Sequence, residues 1–293
     1  MNYKLFFIVF LFTVSVFADD KKVNIGVLYE KIFTTKKEAQ IGAKIWLKYM
    51  EKKPYFEGVN VILYEDEKLI IDDYINNKIG GMISNLTLYF KNKNDLDKAS
   101  RRRWIPSTTK EIYEQYYLIK HKDSSVTLDN LEQKSVFYKN DIGKVWLESV
   151  ILKKYKKPLE KVFKKVLEIK KPQQLIFNVF FNKNELSVIP KKLYDSMLEL
   201  NPQIRQKIKI ISKSEPIFFS GIGFTHNKLD EKYFLMLDEM TNDINSSENG
   251  LELISLIDLV RVKVVNNKDF EDLTIFYEEY FRLKELYGKK EQK

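Results

Sequence analysis

The chain has no cysteine among its 293 residues. That excludes a disulfide framework, thiolate metal sites and a lipid anchor on a cysteine behind the N-terminal apolar run. Histidine is almost absent: His121 and His226 are the only two. A zinc site would need more ligands at tighter spacing, so no metal is expected. No Gly-x-Ser-x-Gly elbow, P-loop or HExxH occurs, and with them go the commonest hydrolase and nucleotide-binding centres. The acidic runs Glu65-Asp66-Glu67 and Asp72-Asp73 lack a surrounding motif and read as solvated. No catalytic residue and no cofactor are therefore expected, and the chain is not read as an enzyme. Internal repeats and low-complexity linkers are also missing. Beyond the first residues, no apolar run approaches the roughly 20 residues of a membrane span.

Charge of one sign is in excess. The formal net charge is +9, or +8 without Lys4. The lysines are spread along the chain, with dense patches only at Arg101-Arg102-Arg103 and Lys153 to Lys157. No basic–aromatic module of a nucleic-acid binder accompanies them. They read as solvated helix faces, and nucleic acid is not an expected partner.

What is present begins with export. Lys4 precedes an apolar run from Leu5 to Val16, then Phe17-Ala18 and Asp19-Asp20. That is the pattern of a cleaved secretory signal over residues 1–18, and it places the mature chain in the periplasm.

The mature chain starts as alternating strands and helices. Val23 to Leu28 reads as a buried strand, followed by a loop from Tyr29 to Thr35 and a helix with Ala39, Ala43, Trp46 or Leu47, and Met50 inward. Val59 to Tyr64 is a strand, Ile70 to Asn76 a helix, and Gly80-Gly81 introduces a strand at Met82-Ile83. Such an order predicts a mainly parallel sheet under helices. A loop rich in charge closes at Trp104-Ile105-Pro106. Tyr116 to Lys120 is then a strand, followed by a polar turn, a short helix at Leu128 to Leu131, a strand at Ser135 to Tyr138, and a helix from Gly143 to about Lys153. Val162 to Val166 fits either helix or strand. A helix through Phe180, a strand at Ser187 to Ile189, a helix from Tyr194 to Leu200 and a strand at Ile208 to Ile211 complete this unit. The stretch Ile217 to Phe224 is extended and leads back. Helices follow from Asp230 to Leu237 and over a last segment with Leu273, Phe276 or Tyr277, Tyr280, Leu283, and Leu286 or Tyr287 on one face. Two crossings imply two lobes, one over 19–112 and 221–293, the other over 113–220. A ligand cleft would lie between them, with hinge closure as its motion.

At these residues the chain resembles a type-2 periplasmic solute-binding protein, nearest the phosphate/phosphite/phosphonate branch of ABC transporters. The matching passages are Ile25-Gly26-Val27-Leu28, Lys122 to Val126 with Leu128 to Leu131, Lys183 to Ile189, Tyr194 to Met197, and Asn201-Pro202. The resemblance implies a two-lobed α/β fold with two crossover strands as hinge. It also implies a monomer that binds a small ligand, such as a phosphorus oxyanion, and delivers it to a membrane permease. Relatives usually hold the oxyanion on a Ser/Thr-Ser/Thr-Gly loop at a helix start. Here Asn140-Asp141-Ile142-Gly143 stands there, and Asp141 sets a carboxylate where the anion would sit. A family Asp position reads Glu185. The altered loop supports a second reading, a periplasmic sensory or adaptor protein that signals to a membrane receptor such as a histidine kinase.

The candidate ligand-binding residues are Tyr29, Ser84, Asn85, Tyr89, Asn140, Asp141, Ile142, Gly143 and Glu185. Tyr29, and Ser84 with Asn85, follow strand ends where α/β folds bind ligands. Each has a plainer alternative. Asp141 fits a helix cap as well as a contact to a cationic or hydroxyl-rich ligand. Asn140 fits a turn amide, Gly143 a helix start, and Glu185 a surface or hinge-side hydrogen bond. Trp146 reads as a core aromatic before a stacking surface.

Overall fold

A computed structural model describes residues 22–29, 35–108, 110, 112–255 and 259–288. The apolar run Leu5 to Val16 and the expected cleavage point lie outside the described residues.

The chain opens with β1 (Val23–Leu28), α1 (Lys36–Met50), β2 (Val59–Tyr64), α2 (Glu67–Ile75) and β3 (Gly81–Ser84). β1 pairs in parallel with both β2 and β3, as the alternating pattern requires. Two short helices, α3 (Leu86–Lys91) and α4 (Lys93–Ala99), lead to β4 (Ser100–Ser107). This strand was expected as a charged loop. Its charges find partners there: Arg101 pairs with Glu231 and Arg102 with Asp238, both distant in sequence, and Arg103 pairs with Asp97, six residues before it. A strand that neutralises three arginines can sit in a sheet where an isolated reading sees only solvated charge.

The second set of elements is β5 (Tyr116–His121), β6 (Ser135–Tyr138), α5 (Asp141–Tyr155), α6 (Leu159–Val162), β7 (Lys165–Glu168) and α7 (Gln174–Phe181). It continues with β8 (Glu185–Pro190), α8 (Lys191–Leu200), α9 (Gln203–Lys207) and β9 (Ile208–Lys213). No helix forms at Leu128 to Leu131. The Asn130 side chain accepts from the Thr127 N–H at 2.6 Å, and the Thr127 hydroxyl accepts from the Asp129 N–H at 3.2 Å. Such local bonds hold turns in competition with helix. The undecided stretch from Val162 to Val166 is divided between α6 and β7.

The return is β10 (Ile222–His226), α10 (Glu231–Ser246), α11 (Glu248–Ser255), β11 (Arg261–Val265) and α12 (Glu271–Tyr287). Two mixed sheets result, ordered β11-β4-β10-β3-β1-β2 and β7-β6-β8-β5-β9. The chain passes between them twice, from β4 to β5 and from β9 to β10. The two passages pair with each other: the Glu114 N–H donates to Phe218 O at 2.6 Å, and the Phe218 N–H donates to Glu114 O at 3.3 Å. α12 buries Leu273, Tyr277, Tyr280 and Leu283. It touches α3 beside the first sheet and α5 beside the second, so one helix braces both. Leu286 is exposed, while Tyr287 is half-buried against the core, so of the two expected alternatives Tyr287 closes the apolar face.

His121 and His226 do not meet. His121 ends β5 in the second sheet and accepts from the Asp123 N–H. His226 ends β10 in the first, accepts from the Lys228 N–H and lies edge-on to Tyr74.

Candidate functional site

Two strand-to-helix turns come to the same place from opposite sheets. In the first sheet, β3 ends at Ser84 and Asn85 caps α3. The Asn85 side-chain oxygen Oδ1 accepts from the Leu88 N–H at 2.8 Å. Its amide nitrogen is buried and has no hydrogen-bond partner among the described residues. A buried donor left unpaired costs about 1–3 kcal/mol; five other buried side-chain atoms among the described residues are also unpaired, but this one lies at the end of a strand, on the cap of the helix that touches the second sheet's helix α5. Ser84 is fully buried, and its hydroxyl donates to the Asn85 backbone carbonyl at 3.3 Å. Tyr29 follows β1 at the same edge, and its hydroxyl donates to Glu65 at 2.6 Å.

In the second sheet, β6 ends at Tyr138 and Asn140 caps α5. The Asn140 side-chain oxygen accepts from the Gly143 N–H at 2.9 Å, and its amide nitrogen donates to the Tyr116 hydroxyl at 3.0 Å. Tyr116 in turn donates to Glu114 at 3.0 Å, and the Thr108 hydroxyl donates to the other Glu114 oxygen at 2.6 Å. Burial pushes the Tyr116 phenol far above its usual range, aided by the Glu114 charge. It therefore stays protonated and keeps donating. The cap of α5 is thus tied through a buried phenol to a carboxylate on the first crossing.

Gly143 lets Tyr116 and Val188 approach. A Cβ there would lie 3.0 Å from Val188 Cγ1 and 3.2 Å from both the Tyr116 ring and Asn140 Oδ1. Ile142 is buried in the main core. Asp141 is the first helical residue of α5, where a carboxylate complements the partial positive charge of the helix start. Burial raises the phenols of Tyr277 and Tyr280 above their usual range, Glu148 adds to this at Tyr280, and the Asp141 charge contributes a smaller part at both. Tyr277 also reaches the first sheet's side, with its hydroxyl 3.3 Å from Thr87 Oγ1. α12 therefore presents Tyr277 between the starts of α3 and α5.

Two of the expected residues do not belong to this place. Tyr89 is fully buried, donates to Asp97, accepts from Arg103 and packs against Phe90, Phe224 and Phe270. It is a core residue, because the helix turn carries it inward from the strand end. Glu185 opens β8 opposite Ser135, the first residue of β6. β6 and β8 are parallel, so Glu185 stands at the sheet edge away from Asn140. Burial raises its carboxyl above the usual range, against a bond from Asn182. Sequence reasoning missed Thr87, Thr108, Glu114, Tyr116 and Tyr277. The Glu114-x-Tyr116 spacing, which puts both side chains on one face of an extended segment, was the available signal.

Two mixed α/β sheets joined by two paired crossings, with helix starts meeting between them, define a two-lobed binding protein. The solved structures similar to this chain have that class. A binding-protein component of an ABC phosphonate transporter from Pseudomonas aeruginosa is 13% identical, with a TM-score of 0.61 over 89% of this chain and 87% of that one. XAC2383 from Xanthomonas citri, in a chloride-bound structure, is 8% identical, with a TM-score of 0.66 over 90% and 99%. PhnD1 from Prochlorococcus marinus, in complex with methylphosphonate, is 10% identical, with a TM-score of 0.62 over 89% and 99%. At such identities the likeness is one of fold. No curated protein matches the sequence. The family described as "ABC transporter, phosphonate, periplasmic substrate-binding protein" matches residues 103–270, more than half of the chain. The chain belongs to that family.

Proposed function

We propose that this chain captures a small solute between its lobes and delivers it to the membrane permease of an ABC importer. The lobes are residues 19–112 with 221–293, and 113–220, after removal of a signal over 1–18; the protein acts as a monomer in the periplasm. The ligand sits between Asn85 with Ser84 and Tyr29 on one side and the first turn of α5, Asn140 to Gly143, on the other. The observation that carries this reading is the buried, unpartnered amide nitrogen of Asn85, which caps a helix in contact with α5. Two carboxylates stand near the α5 start, Asp141 on the helix and Glu114 through Tyr116. They favour a solute that presents hydroxyl or ammonium donors over a phosphorus oxyanion. Like charges about 4 Å apart repel by about 4 kcal/mol at the effective dielectric of such sites.

Gene deletion tests the transport role. Loss of uptake of the bound solute, restored by the wild-type gene and not by Asn85→Ala, is expected. Unchanged uptake together with a changed transcriptional response to the solute would favour the sensory reading instead.

A further inference from the structure

We propose that the outer face of α1 is a docking surface for an anionic phospholipid bilayer. The helix buries Ala39 and Met50 against the body of the protein. Its opposite side carries Lys37, Ile41, Lys44, Ile45 and Lys48, all exposed. At 3.6 residues per turn these five fall within an arc of about 100°. Ile41 and Ile45 are 50% and 43% exposed, an unusual place for two large aliphatic side chains next to each other on one turn. No acidic residue lies inside the arc; Glu38 and Glu51 border it. Lys52 extends the stripe into the following turn.

The lysines of this stripe are unspent. Among the described residues, Lys36 pairs with Glu65 and Lys53 with Asp243. Lys37, Lys44, Lys48 and Lys52 make no ion pair among the described residues. Unpaired lysines flanking exposed aliphatics are the pattern of a helix that lies in the plane of a membrane surface, with aliphatic chains entering below the headgroups and ammonium groups held at the phosphates. The surface on either side is shaped for this. A groove of about 860 Å³ between α1 and β2 includes Lys44 and Lys48 over apolar Leu47, Val61 and Leu63. A second, of about 500 Å³ between α1 and α11, includes Lys48, Lys52 and Lys53. Each groove is lined by one carboxylate, Glu51 in the first and Glu252 in the second, against three lysines. Ile41 on the ridge between the two basic grooves, with Ile45 on the wall of the second, fits a layer with apolar depth and phosphate at its surface. An acidic partner face would have to carry its own apolar patch opposite the two isoleucines, whereas a bilayer offers apolar depth everywhere below its phosphates.

Vesicle co-sedimentation tests this, using protein purified after export and vesicles of phosphatidylglycerol mixed with phosphatidylcholine, at physiological salt. The wild type is expected to bind these vesicles and not pure phosphatidylcholine. Each lysine near an anionic surface contributes about fivefold in affinity. Lys44→Gln with Lys48→Gln should therefore weaken binding about 25-fold. Ile41→Ser with Ile45→Ser should weaken it at every salt concentration. Lys161→Gln with Lys164→Gln, exposed in the second lobe, removes the same charge and should change it little. Equal losses from both lysine pairs would show attraction by net charge alone and overturn the proposal. Failure of the wild type to bind anionic vesicles would overturn it too, and leave the stripe to an acidic protein face.

Discussion

Asn140 holds two bonds at once, and each can be removed separately. Its oxygen caps a 15-residue helix, and its nitrogen supplies a hydrogen bond between that cap and the buried Tyr116–Glu114 pair. Losing an N-cap costs about 1 kcal/mol, and losing a bond to a buried hydroxyl about 1 kcal/mol more. Asn140→Ala should lower stability by about 2 kcal/mol. Asn140→Ser keeps the cap and loses only the second arm, so it should cost about half as much. Asp caps exposed helices as well as Asn does, yet Asn140→Asp would face a Tyr116 hydroxyl whose proton is already given to Glu114. It should be less stable than Asn140→Ser. Urea denaturation measures all three as midpoint shifts at constant slope. If Ser and Asp were both indistinguishable from wild type, the Tyr116 link would contribute nothing, and the argument for a structured α5 start would fail.

Other outcomes follow from the same structure. Asp141→Ser should change stability by less than about 1 kcal/mol while giving calorimetrically detectable methylphosphonate binding; a folded variant with no such gain counts against the exclusion of oxyanions. Glu148, on α5, is nearly buried and accepts from Tyr280 at 2.6 Å and Lys284 at 3.0 Å on α12. Glu148→Ala should destabilise by about 2 kcal/mol in the same denaturation assay, and Glu148→Gln by less. A Cβ on Gly223 would lie 2.2 Å from the ring of half-buried Trp104, so Gly223→Ala should cost about 1–3 kcal/mol, read as a lowered urea midpoint. Burial pushes the Asp243 carboxyl up, but bonds from Lys53 at 2.7 Å and Tyr49 at 2.5 Å outweigh it and hold it below the usual range. Its folded value is thus lower than its unfolded one. Its stabilisation is full above about pH 4 and fades as pH falls through the folded value. An acid titration of stability should therefore be shallower in Asp243→Asn, and an unchanged slope would contradict this.

The strand-helix alternation was readable because its hydrophobic periods are local: β1, β2, β3, β6 and β9 stand where those periods put them. β4 was not readable, since its arginines are neutralised by Asp97, Glu231 and Asp238, and two of those lie more than a hundred residues away. The helix expected at Leu128 gave way to bonds from Asn130 and Thr127, which propensity alone does not weigh. At the candidate site, strand ends located Asn85 and Asn140. Glu185 was misplaced because a parallel register decides which end of β8 meets α5. Glu114 and Tyr277 were missed because their positions depend on pairing between crossings and on how α12 docks.

The most direct test is a thermal-shift screen of the exported protein against phosphate, phosphite, alkylphosphonates, sulfate, amino acids, polyamines and sugars, run beside Asn85→Ala and Asn140→Ala. A ligand at about 100 times its dissociation constant adds about 2.7 kcal/mol of stability. The account predicts such a shift for at least one solute carrying hydroxyl or ammonium groups, lost in both variants. A solute that stabilises all three proteins equally, or no shift across the panel, would contradict capture of a small ligand between the lobes.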